Sequence, residues 1–223
     1  MASIKQSLDK DLEKLVHVEA ATRQTASGIV PHGIALVFLV LSAILASVFV
    51  GLTTDTVLAA VAAVLGGYMA LNIGANDVAN NVGPAVGSRA LTMFGALIIA
   101  AVFECAGALL AGGDVVNTIS KGIIDPAQVG DSSVFVWAMM AALISSAVWV
   151  NLATVIGAPV STTHAVVGGV LGAGVAAVGF DLVNWDTMTA IAASWVVSPL
   201  LGAMIAAVFL AIIKINIIYR PDK

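Results

Sequence analysis

Six apolar runs, at about Gly33–Leu52, Val57–Ile73, Ala90–Ala111, Val134–Ile156, Val160–Phe180 and Thr187–Ile218, leave this chain few folds to choose from. A helix needs about 20 apolar residues to cross the roughly 30 Å hydrocarbon core of a bilayer. Most of the runs reach that length, the second only if the Gly-Ala-Asn-Asp stretch continues it. In lipid every backbone N–H and C=O must be satisfied within the protein, which restricts spanning structures to helices and closed barrels. Composition agrees, because 60% of the 223 residues are hydrophobic and 10% are charged, against roughly 25% charged in a soluble domain. The expected fold is therefore an all-α membrane protein with about six transmembrane spans. A net charge of -4 gives no reason to expect nucleic acid as a partner.

The basic residues predict an orientation. Lys5, Lys10, Lys14 and Arg23 precede the first span, while Lys214, Arg220 and Lys223 surround the end of the last. Both termini are expected on the cytoplasmic side, and six crossings then put Arg89 inside and Asp55, Asp181 and Asp186 outside, with Lys121 the exception. Trp137, Trp185 and Tyr219 fall near predicted span ends, where an aromatic belt sits. Ahead of the first run, Ile4, Leu8, Leu12 and Leu15 recur at helical spacing among charged residues, and Ser3 with Gln6 has the form of a capping box. That start is too long and too mixed in charge for a cleavable secretory signal. Residues 1–32 are expected to form a cytoplasmic amphipathic segment, 33–56 a first span and short loop, 57–218 the main transmembrane unit, and 219–223 a cytoplasmic tail. The one cysteine, Cys105, lies in an apolar run and is expected to pack.

Two stretches break the apolar pattern. The first, IGANDVANNVGPAVGS at Ile73–Ser88, follows Asn72 and holds Asn76, Asp77, Asn80 and Asn81 together with Gly74, Gly83, Pro84 and Gly87. A carboxylate and several carboxamides at membrane depth cost free energy unless they face a cavity, a partner or an ion. The glycines and proline predict an interrupted helix whose freed backbone groups line a site. On a helix Asn76 and Asn80 share a face, as do Asp77 and Asn81 on the neighbouring one. The clustered oxygens suit a hard monovalent cation such as sodium. No Cys/His set has the spacing of a transition-metal site.

The second stretch is GAPVSTTHAVVGGVLGAG at Gly157–Gly174. Pro159 disfavours helical geometry at Ala158, so one helix is predicted to stop there. Ser161, Thr162 or Thr163 can cap the next, running from His164. A helix start presents unpaired N–H groups and a partial positive charge, and three hydroxyls add donors for an anion. A Ser–His hydrolase is disfavoured, because Ser161 and His164 are poorly disposed on one helix and no third group orients the base. Asp77 and Glu104 are the acids clearly within spans, and nothing supports pairing them as a protease dyad.

GANDVAN at Gly74–Asn80, the glycines of VGPAVGS at Val82–Ser88, and PVSTTH at Pro159–His164 resemble the signatures of the inorganic phosphate transporter (PiT) family. The resemblance covers roughly Val57–Ile213. It implies a fold of two inverted repeats with broken or hairpin helices, each repeat carrying one segment of each kind; this chain has one copy of each and so resembles a single repeat. The function implied is cation-coupled symport of inorganic phosphate by alternating access, or of sulfate as in a similar bacterial branch, in a bacterial inner (plasma) membrane. The resemblance assigns Asn76, Asp77 and Asn80 to the coupling cation, sodium or proton, and Ser161, Thr162 and Thr163 to the oxyanion. It associates Glu104 and His164 with transport. No organic cofactor and no enzymatic activity are implied. The expected partners are the lipid bilayer and a second copy or second half-transporter, because the family's site draws on both repeats; a non-transporting half-subunit is the alternative.

Overall fold

The computed structural model describes residues 28–51 and 56–219. The expected amphipathic helix before Gly28 lies outside the described residues. Helix α1 spans Gly28–Val50, α2 Thr56–Gly87, α3 Met93–Asn117 with a π turn over Thr118–Gly122, and α4 Ser132–Val155. Helix α5 follows at Thr162–Val178, and α6 at Trp185–Ile213 with a π turn over Lys214–Ile218. Five of these helices are long and apolar enough to cross a membrane; α5, at 17 residues, is the shorter sixth. No strand occurs among the described residues. The chain is an integral membrane protein.

One expectation is overturned. Helix α2 is not interrupted at the Asn-rich stretch but runs unbroken through it, with Pro84 inside the last turn. Pro84 removes a single N–H, which deprives the Asn80 carbonyl of its i+4 donor without ending the helix. The Asn76 carboxamide does not compete for the local backbone, because it is engaged on another segment. At 32 residues the helix is about 48 Å long, more than one hydrocarbon thickness, so it must tilt or project.

Two compact units make up the chain. The first runs to Ala96 and takes in Leu143–Ala165; the second comprises Leu97–Ala142 and the chain from Val166 onward. In the first unit α2 buries Met69, Asn72 and Asn76, which recur along one face, and Gly67 on another. Gly67 is required by close approach: a Cβ there would meet Leu39 Cδ2 of α1 at 3.1 Å. In the second unit Ile123, Ile124, Val129, Ala142, Val167, Val170, Val183 and Met188 form the core. The loop after α3 is drawn into it by an antiparallel bridge between Ile124 and Val183 and by the Asn184 N–H donating to the Ile123 carbonyl at 2.9 Å. Asn184 also caps α6 by accepting from the Thr187 N–H. Cys105, expected to pack, is exposed instead. It stands on α3, where Ala96 is the one buried residue.

Candidate functional site

The site grows from the way α4 ends. Gly157 takes a left-handed φ of +72°, its N–H donates to the Thr154 carbonyl at 3.1 Å, and the Ala158 N–H donates to the Ala153 carbonyl at 2.8 Å. This paired closure is a Schellman motif, which satisfies carbonyls the helix would otherwise leave open. Ala158, the residue before Pro159, lies outside the helix, as the sequence predicts. Ser161 then caps α5, its Oγ accepting from the His164 N–H at 3.2 Å. The result is a six-residue break, Ile156–Ser161, between two helices.

Asn76 of α2 closes that break. Its Nδ2 donates to Thr154 Oγ1 at 3.0 Å and to the Ala158 carbonyl at 3.3 Å, and its Oδ1 accepts from the Val160 N–H at 3.3 Å. One carboxamide therefore holds the last turn of α4 and both sides of Pro159. Thr154 passes the interaction on, its hydroxyl donating to the Val150 carbonyl at 2.8 Å. Asn76 is buried, at 7% exposed.

Asp77, the next residue of α2, is half-buried and meets the start of α5. Thr162 Oγ1 donates to Asp77 Oδ2 at 2.7 Å, a normal length for a hydroxyl hydrogen bond. Thr162 is buried, whereas Ser161, Thr163 and His164 are exposed. The first N–H groups of α5 have no helical partner of their own. The structure thus joins Asn76, Asp77 and the Ser161–His164 turn, the two stretches that the sequence singled out 85 residues apart.

On the other side of the Asn76 carboxamide lies a cleft of about 180 Å³ lined by Ala75, Asn76, Ala79, Asn80, Thr154, Gly157, Ala158 and Pro159. Its volume is below the roughly 300–1000 Å³ of sites for drug-sized molecules, so it suits a small occupant. Asn80 reaches this cleft; Asn81, next to it, is exposed. Glu104 is exposed on α3 and belongs to the second unit.

Sequence reasoning missed Asn151 and Thr154. Asn151 Nδ2 donates to Asn72 Oδ1 at 2.9 Å, and Asn72 Nδ2 donates to the Tyr68 carbonyl at 2.8 Å. The signal was present, since Asn151 and Thr154 are polar, three apart and flanked by apolar residues in VWVNLATV. The same cost of polar groups in lipid that singles out Asn76 and Asp77 applies to them.

The profile of the phosphate transporter family matches residues 73–223. The chain belongs to that family. A protein of Helicobacter pylori named "Putative phosphate permease" is 50% identical over 213 residues, which is 96% of this chain and 40% of the relative. One of Chlamydia muridarum with the same name is 46% identical over 73% of this chain and 38% of its own length. Among solved structures, "The sodium-dependent phosphate transporter" is 43% identical and superposes with a TM-score of 0.67, covering 72% of this chain and 40% of that one. The chain thus spans about 40% of the length of these relatives, a share that fits the single repeat read from the motifs. The Helicobacter match leaves at most ten residues of the chain unaligned. Likeness to that relative therefore extends before Val57, whereas the family profile begins at residue 73.

Proposed function

We propose that the chain supplies one repeat of a cation-coupled symporter of inorganic phosphate, working by alternating access in a bacterial inner membrane with both termini cytoplasmic. The observation that carries this reading is the 2.7 Å hydrogen bond from Thr162 to Asp77. It sets the one acid of the Asn-rich stretch directly against a helix start suited to an anion.

Asp77 supplies a charge for the cation, and Asn80 supplies its side-chain oxygen and a backbone carbonyl relieved of its donor by Pro84. A monovalent cation about 4 Å from the carboxylate is attracted by about 4 kcal/mol at an effective dielectric constant near 20. That exceeds the roughly 1.5–3 kcal/mol of a hydrogen bond to a charged group. An arriving cation therefore displaces the Thr162 hydroxyl from Asp77. The freed hydroxyl, with that of Ser161 and the N–H groups of Thr162 and Thr163, then donates to the oxyanion. Substrate and cation raise each other's affinity by the same factor. Asn76, whose two donors and one acceptor are already engaged, serves chiefly to hold the break, and this shifts its role from cation ligand towards framework. His164 extends the α5 turn, and Glu104 is the transport-associated acid of α3.

Sodium is the favoured ion because the structural neighbour is named as sodium-dependent. A second repeat, from another copy or another segment, completes the site. The test is uptake of radiolabelled phosphate by proteoliposomes under a sodium or a proton gradient. Asp77→Asn is expected to abolish coupled uptake while circular dichroism and gel-filtration behaviour are retained; undiminished uptake overturns the assignment. Excess sulfate in the same assay establishes which oxyanion is carried.

A further inference from the structure

We propose that Asn151 is a positioning residue for transport, acting through Asn72 to set the register of α2 against α4. This rests on the phosphate-symport reading above. Two polar contacts join these helices within the first unit. Asn72 pairs with Asn151, and one turn further along both helices Asn76 pairs with Thr154. The residue numbers rise together from the first pair to the second, so α2 and α4 run parallel here and a slip of either helix would break both contacts at once. Asn72 is 4% exposed, and its carboxamide is fixed at both ends, to the Tyr68 carbonyl and to Asn151.

Lipid provides no hydrophobic drive for helices to associate, so such hydrogen bonds do much of the aligning. Ala147 and Val150 of α4 are fully buried and give smooth apolar contact, which resists sliding poorly. The Asn72–Asn151 pair is the contact that distinguishes one turn from the next. With register lost, Asn76 no longer reaches Ala158 and Val160, and Asp77 no longer faces Thr162. Asn151 itself touches neither of the proposed ion positions.

The experiment compares Asn151→Ala, Asn76→Ala and the double variant in proteoliposomes. Hydrogen exchange of the segment containing the Val160 amide is measured on the same preparations. Asn151→Ala is expected to lower maximal uptake roughly five- to tenfold, the size of one hydrogen bond's contribution. Val160 exchange should quicken by a comparable factor, and the double variant should be no worse than Asn76→Ala alone. Asn151→Gln, which keeps the donor, should recover part of both. Unchanged Val160 exchange in Asn151→Ala overturns the proposal, as does a double variant whose losses multiply. The exchange readout does not depend on transport. Quickened exchange alongside uptake indifferent to Asp77→Asn would therefore remove the symport reading and leave the positioning of the break by Asn151 intact.

Discussion

Replacing Asn76 with alanine tests whether one carboxamide holds the break between α4 and α5. The side chain makes three hydrogen bonds, at 3.0, 3.3 and 3.3 Å, and is 7% exposed. Thr154 keeps its bond to Val150, so its loss is slight. The Ala158 carbonyl and Val160 N–H lose the partner seen for each. An unsatisfied buried group costs about 1–3 kcal/mol, and partial access of water to this half-buried turn brings the pair to about 2–4 kcal/mol in total. For a chain of this size each kilocalorie moves the midpoint by roughly 2–4 °C, so Asn76→Ala should unfold roughly 5–15 °C lower in detergent. Asn76→Asp supplies the control, keeping the shape and the acceptor for Val160 while losing both donors and setting a second carboxylate beside Asp77. It should fall at least as far. Thermal unfolding followed by circular dichroism is the assay. A midpoint within about 1 °C of the parent for both variants would refute the role given to Asn76.

Three further outcomes are expected. Thr162→Val keeps the shape of the side chain but removes the hydroxyl, and should weaken the stimulation of phosphate affinity by sodium about tenfold, with Thr162→Ser restoring most of it; affinities measured across a sodium series decide it. Gly174→Val should lower thermal stability by about 1–3 kcal/mol, because even a Cβ at this position would collide with Ile124 in the core of the second unit, and an unshifted melting curve counts against that core. The Asp131 carboxyl is held below its usual value by hydrogen bonds from the Ser133 backbone and side chain. Its contribution is therefore present above the ordinary aspartate range and lost as pH falls through the lowered value, so protection of the first turn of α4 from hydrogen exchange, relative to the intrinsic rate at each pH, should fall at acid pH in the parent and not in Asp131→Asn.

The helices were legible because lipid imposes a length and an apolar character that no other setting requires. The end of α4 was equally legible, since Pro159 disfavours helical geometry at the residue before it. Helix α2 was misread for a related reason. Glycine, asparagine and proline weaken an isolated helix, but each effect is about 1–3 kcal/mol, and a helix packed along one side and anchored at Asn72 and Asn76 absorbs it. The pairing of Asn151 with Asn72 was beyond reach for a different reason. Which of two polar residues 79 apart will meet depends on helix direction and register, and a single sequence encodes neither.

The placement of these amides bears on how coupling could work. Thr162 donates to Asp77. The same bond withholds the hydroxyl from any anion. In the proposed mechanism the Asp77 carboxylate and the oxyanion thus compete for one proton donor, which stays on Asp77 until a cation arrives. A framework held this firmly by Asn76 need move only the Thr162 side chain to switch between the two states. Coupling then requires no displacement of the break itself, and the Asn76 and Thr162 variants should separate cleanly: the first loses stability and uptake together, the second loses the linkage between the ions while the fold survives.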